Sequence, residues 1–281
     1  MVAAGVLFVF TSAASKWLVD TYPVGEVLFA RNLGGLIACA LFILPIHGLL
    51  VFRTTRPAAH LLRSVSQTTS QTLLLIAFSM MPLASATAIN FSSPLFATLA
   101  SAIFLKEAVG KARAAVLAIG FLGVLIVTNP GSDTFQIGAL YALGNAILFG
   151  TVTAGVRGMT TTESAATLTM YQLTLITIFF GLSLPFVFVM PTGMDAMWLL
   201  LNGAGNGIAQ YCWTRAIHMA PTAAVVPFNY LTLVWAAMLG FAIWGEVPTI
   251  GLVAGSAIVV GSGLFLLWHE TRKAAIPPAT G

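Results

Sequence analysis

Charge is scarce in this chain of 281 residues. Only 7% of its positions are Asp, Glu, Lys or Arg, where a soluble domain carries about 25%. So few charges cannot cover a soluble surface. The net charge is +4 from twelve basic side chains, too thin to neutralise a phosphate backbone, so nucleic acid is excluded as a partner. Cysteine is scarcer still. Cys39 and Cys212 each sit inside an apolar run, which excludes a disulfide-stapled secreted domain. No G-x-x-x-x-G-K-[ST] phosphate loop occurs, so ATP hydrolysis by this chain is not expected. No His/Cys cluster has metal-ligand spacing, so neither a metal nor another cofactor is expected. His47, His60, His218 and His269 fall in loops or near span ends. None is placed to activate a buried serine, which speaks against a membrane-embedded protease or lipid enzyme.

What is present is apolar: 58% of the chain, in long continuous runs. A spanning helix needs about 20 such residues, whereas a barrel strand is short and alternating. The runs predict ten transmembrane helices, at 2–19, 24–44, 59–80, 83–104, 112–128, 137–156, 165–189, 196–218, 221–243 and 250–268. The first run starts without a basic segment before it and is read as a span. A cleaved signal ending near Thr11-Ser12-Ala13-Ala14 would leave nine spans. The tail 269–281, rich in Pro and Ala, is expected to be disordered. With a cytoplasmic N-terminus, ten of the twelve basic residues fall on the cytoplasmic side, Arg53, Arg63, Lys106 and Arg215 among them. Both termini are therefore expected in the cytoplasm.

The two halves resemble each other. At an offset of 139, Gln71 meets Gln210, Pro82 meets Pro221, Asn90 meets Asn229, Glu107 meets Glu246 and Gln67 meets Asn206. At an offset of 141, Phe8 meets Phe149 and Lys16 meets Arg157. Five helices plus five must run through the membrane in opposite senses. The expected architecture is thus an all-α membrane protein built as two inverted five-helix repeats, 1–130 and 137–268. Such repeats place a substrate site near the midplane between the halves.

Two proline-led helices end in acidic turns: Pro82 to Leu105-Lys106-Glu107, and Pro221 to Trp244-Gly245-Glu246. Glycine-rich spans follow each turn, with Gly120 and Gly123, then Gly251, Gly255, Gly261 and Gly263, and Arg31 lies within the second helix. In these features the chain resembles the drug/metabolite transporter superfamily, specifically ten-helix EamA-type exporters. Within it the likeness is to bacterial amino-acid exporters of the YddG type. One departure is that the counterpart of Arg31 is Gln172. The resemblance implies a multi-pass protein of the bacterial inner membrane. It would export amino acids, aromatic or hydrophobic ones included, or similar small metabolites. It would work by alternating access, as a monomer or weak homodimer. A proton-coupled drug or nucleotide-sugar carrier of the same superfamily is the alternative.

Polar groups inside a bilayer are costly and mark pathways or helix contacts. Gln67 and Gln71 lie four apart on the third span, and Asn202, Asn206 and Gln210 repeat that spacing on the eighth. Such ladders either line a cavity or glue helices together. Asn90 and Asn229, with Tyr230, Ser12 and Trp17, complete the expected substrate-binding set. Pro94 leaves the Asn90 carbonyl without its helical donor, and Pro227 does the same to Ala223, giving either ligand carbonyls or gating kinks. Lys16 either attracts a carboxylate or pairs with Asp20 or Glu26. Arg31 is expected to pair with Glu26 or with free backbone. Glu26 is the candidate proton-coupling carboxylate, and its outlying position favours gradient-driven movement over proton exchange. Phe91, Tyr211, Trp213, Phe228 and Trp235 offer further aromatic surface, and Gly251 with Gly255 offers a close helix contact that could serve a dimer.

Overall fold

The computed structural model describes residues 1–104, 111–129, 137–159, 162–219 and 231–274. Every regular element among them is helical. The expected Asn229, Tyr230 and Pro227 lie outside the described residues, as do Glu107, Pro221 and Phe228. The helices are α1 (Val2–Val19), α2 (Val24–His47), α3 (Pro57–Met80), α4 (Leu83–Asn90), α5 (Ser93–Phe104), α6 (Lys111–Thr128), α7 (Gly138–Met159), α8 (Ala165–Val187), α9 (Gly193–Met219), α10 (Leu231–Trp244) and α11 (Ile250–Ala274).

Local chemistry sets the ends. Pro23 precedes α2, and Gly48 stops it in a left-handed conformation (φ 61°). Pro57 opens α3, where a missing N–H costs nothing. Ser164 caps α8 by accepting the Thr167 N–H at 3.0 Å. The fourth span differs from expectation because it is broken. Pro94 has no N–H to continue the ladder, so α4 stops at Asn90 and α5 restarts at Ser93.

The lipid face is what the composition demands. Leu41, Ile46, Phe186 and Ile250 are all about three-quarters exposed or more, which is tolerable only against hydrocarbon. By length and composition, Val2–Val19, Val24–Phe52, Leu83–Ala100 and Ala165–Val187 suffice to cross a membrane, with shorter apolar helices elsewhere. α3 and α9 have 24 and 27 residues, yet carry polar side chains along one face. That face points inward.

The helices associate in crossed sets. α1 packs against α9 and α10, and α7 against α3, α4 and α5. α2 meets α8, α6 meets α11, and α4 meets α10. The closest seam joins α2 to α9. A Cβ on Gly207 would stand 2.4 Å from the Gly35 Cα, so the two backbones touch. Gly255 is used the same way within the chain: a Cβ there would meet the Gly123 carbonyl at 2.7 Å. The glycine pair of the last span is therefore covered by α6 rather than offered to a second copy.

Candidate central cavity

Between α1, α2, α3, α4, α7, α8, α9 and α10 lies a cavity of about 170 Å³. Its polar wall comes from facing helices. α3 contributes Arg63, Gln67 and Gln71; α9 contributes Asn206 and Gln210. Ser12, Arg31, Thr87, Asn90, Asn145, Gln172 and Thr232 fill the remaining polar positions. The apolar wall mixes aliphatic side chains with the aromatic rings of Phe8, Phe78, Phe91, Phe149 and Trp213. Phe149 and Trp213 stand 6.3 Å apart, tilted to one another.

The spacing of four explains the convergence. One turn separates Arg63, Gln67 and Gln71, so a single face of α3 presents all three. Hydrogen bonds then tie the faces together. Asn32 donates to the Gln71 side chain at 3.0 Å. Asn145 accepts from the Ser70 hydroxyl at 2.6 Å and donates to the Asn90 side chain at 2.8 Å. Arg31 donates to Asn206 at 2.7 Å. Arg63 donates to the Leu168 carbonyl at 3.1 Å and also to Gln172. Gln210 reaches Gln172 at 3.4 Å.

Of the expected site residues that are described, Ser12, Gln67, Gln71, Asn90, Asn206 and Gln210 share this cavity. Trp17 does not. It ends α1 half-exposed, off the lining. Pro94 sits behind the cavity wall, and the carbonyl it frees on Asn90 accepts the Ser93 hydroxyl instead. Arg31 pairs with an amide, not with Glu26, because Glu26 lies nearer the start of α2 and accepts the Val189 N–H at 2.8 Å. Lys16 pairs with neither Asp20 nor Glu26. Its ammonium donates to Glu246 at 2.5 Å and to the Met81 carbonyl at 2.9 Å, over the Trp244 ring. Glu246 also accepts the Leu83 N–H at 2.9 Å. This latch gathers α1, the α3–α4 turn and the α10–α11 loop at one end, beside Leu83 of the cavity wall. Among the aromatics, Tyr211 packs on Phe42 at 5.2 Å rather than facing the cavity, and Trp235 is partly exposed. His60, expected near an interface, is buried and stacked on Tyr171 at 4.3 Å.

Arg63, Asn145 and Gln172 were missed as lining residues. Arg63 was counted only among the cytoplasmic-side bases, although its spacing from Gln67 places it on the same ladder. Gln172 was visible as the counterpart of Arg31. Asn145 is a lone amide in an apolar helix, and that cost was its signal.

A multi-span helical bundle enclosing a polar, aromatic cavity defines a membrane transporter. The chain belongs to the EamA-like transporter family, which it matches twice, over residues 1–129 and 136–268. It is 32% identical over 280 residues to a riboflavin transporter of Rhizobium johnstonii, covering 99% of this chain and 92% of that one. It is 26% identical over 261 residues to an S-adenosylmethionine uptake transporter of Rickettsia felis, covering 92% and 87%. The pseudopaline exporter CntI of Pseudomonas aeruginosa is 26% identical over 277 residues, covering 97% and 95%. A crystal structure of a protein with 19% identity superposes at a TM-score of 0.62 over 96% of this chain and 99% of that one, and shares the fold.

Proposed function

We propose that this chain carries riboflavin, or a similarly planar and acceptor-rich heteroaromatic metabolite, across the bacterial inner membrane. The observation that carries this reading is the cavity wall. Aromatic rings share the lining with amide and guanidinium donors, which suits a fused ring with carbonyls at its edge. A relative that matches 99% of this chain is named for riboflavin. Movement would be by alternating access of two inverted halves, 1–130 and 137–268, with both termini cytoplasmic. Three points support it: the paired residues at offsets of 139 and 141, the bias of basic residues, and the helix contacts. Exchanging each span for the one five later leaves the main contact set intact. Gln67, Gln71, Asn90, Asn206 and Gln210 would hold the substrate, joined by Asn229, the counterpart of Asn90, and by Tyr230, the counterpart of Phe91. No carboxylate lines the cavity among the described residues, which supports gradient-driven movement.

Amino-acid export is the second reading. The two arginines favour it, since they suit a carboxylate, but an α-ammonium meets no acid among the described lining residues. The test is flux into liposomes holding only this protein, with flavin and an amino-acid panel, with and without a pH gradient. Saturable flavin flux, lost in Gln71→Leu and Gln210→Leu without loss of folding, is the expected result. Amino-acid flux without flavin flux would overturn it in favour of the second reading.

A further inference from the structure

Two guanidinium groups, Arg31 and Arg63, line the cavity while being more than nine-tenths buried. Their partners are all neutral: Asn206 for one, Gln172 and the Leu168 carbonyl for the other. The Nε–H of each is buried and has no acceptor. Buried charge in proteins is normally paired, and more strictly so in a membrane. Here the buried described carboxylates are engaged elsewhere. Glu26 serves the Val189 N–H, Glu163 the Thr54 hydroxyl, and Glu246 the Lys16 ammonium.

The duplication sharpens the point. The counterparts of Arg31 and Arg63 are Gln172 and Asn202. Both charges thus sit in the first half, and each leans on an amide of the second. A substrate has no twofold symmetry, so a duty toward the substrate need not recur.

We infer that the transported species is an anion, whose carboxylate or phosphoryl group is held by Arg31 and Arg63. The inference rests on the aromatic-metabolite reading above and refines it. For a flavin-shaped substrate, the preferred form is the phosphate ester rather than the neutral vitamin. A planar fork of N–H donors fits two oxygens of one anionic group. The same charges repel cationic substrates, so a sulfonium or ammonium compound is disfavoured in this cavity.

The test uses the purified full chain in nanodiscs and two neutral/anionic ligand pairs. Riboflavin is compared with riboflavin 5′-phosphate, and indole-3-acetamide with indole-3-acetate. The expected result is at least about tenfold tighter binding of the anion. In Arg31→Gln and Arg63→Gln that preference should fall toward unity. Glutamine can still bond the neighbouring amide, so a purely structural clasp would leave the preference unmoved. Arg31→Lys and Arg63→Lys retain charge and should retain part of it, which keeps the test open if a glutamine variant fails to fold. Anions bound no better than their neutral partners, or a preference unchanged in all four variants, would overturn the inference. Binding of neither anion would overturn it too. If indole-3-acetate is preferred and no flavin binds, the inference stands and the flavin reading falls. If riboflavin binds and its phosphate does not, the reverse holds.

Discussion

The latch at the Lys16 end offers the most direct test of how the cavity opens. Glu246→Gln removes one negative charge and little volume. In the latched state that charge accepts from the Lys16 ammonium at 2.5 Å and from the Leu83 N–H at 2.9 Å. The Lys16 and Glu246 side chains are only 10% and 16% exposed, so water screens the pair weakly. A hydrogen bond to a charged group contributes about 1.5–3 kcal/mol. Glutamine keeps a weaker version of each bond, so the expected loss is about 2 kcal/mol. In the unlatched state both groups would be wet, and the change there costs little. Since about 1.4 kcal/mol is a factor of ten, the latched population should fall roughly thirtyfold relative to the open one. The assay is thiol labelling from the Lys16 side. Thr87, on the cavity wall, becomes the reporter as Thr87→Cys, in a background with Cys39→Ala and Cys212→Ala. A membrane-impermeant reagent should modify it at least about tenfold faster in Glu246→Gln. Labelling at the parent rate, in protein that elutes and melts normally, would refute the role of the pair as a gate.

Three further outcomes follow from the same contacts. Asn145→Leu leaves the buried Ser70 hydroxyl without its acceptor and removes one of two partners of the Asn90 amide oxygen; an unpaired buried group costs about 1–3 kcal/mol, so the melting temperature should drop, and an unchanged one would refute the network. Gly207→Ala forces a methyl against the Gly35 backbone, an overpacking cost of about 1–3 kcal/mol; the melting curve should move down, whereas Thr68→Val on α3 should leave it nearly in place. The Tyr22–Asp195 pair lies outside the spans, joined at 2.6 Å. Bonds from Tyr22 and then Thr192 hold Asp195 below its ordinary 3.8, and the bond to Asp195, then burial, lifts Tyr22 above 10.0. A lowered acid stabilises above its unfolded value and loses that contribution as pH falls through its folded one; a raised tyrosine stabilises below 10.0 and loses it as pH rises through its folded value. Melting curves of the parent and Tyr22→Phe should therefore differ at neutral pH and converge in strong acid. A constant gap across the acid range would show that the pair contributes nothing through ionisation.

The helices were legible because a bilayer imposes one requirement on the whole run of residues, and composition answers it directly. The cavity was legible in part for the same reason. Gln67, Gln71, Asn206 and Gln210 stand out because nothing near them in sequence is as costly to bury. Pairing was not legible. Lys16 could have met Asp20 or Glu26 by proximity, but it crosses to Glu246, 230 positions away, because the end of α1 and the α10–α11 loop converge. Arg63, inside the expected span 59–80, entered only as one of the cytoplasmic-side bases, when the relevant coordinate was the angle around α3. The break at Asn90 was visible in Pro94. The use of the freed carbonyl was not, since that depended on the neighbouring Ser93 hydroxyl reaching it first.

The asymmetry between the halves carries the last step. Under the offsets of the repeat, the α2–α9 seam and the α8–α3 seam are counterparts. The first brings Gly34 and Gly35 against Gly203 and Gly207, backbone on backbone. The corresponding positions in the second are Leu175 and Ile176, with Ser64 and Thr68. Side chains of that size hold two helices apart, and this seam carries the hydrogen bonds of Arg63 with Leu168 and Gln172 beside the His60–Tyr171 stack. The glycine seam is held by close backbone packing together with the Arg31–Asn206 bond. A seam of hydrogen bonds can exchange partners at small net cost, because each lost bond is replaced by one to water or to a substrate. In the alternating access proposed above, these two counterpart seams would open in turn. The seam that holds Arg63 is also where an anion would compete with Gln172 for the guanidinium. Substrate binding and opening of that seam would then act on the same hydrogen bonds, and such coupling is what a carrier requires.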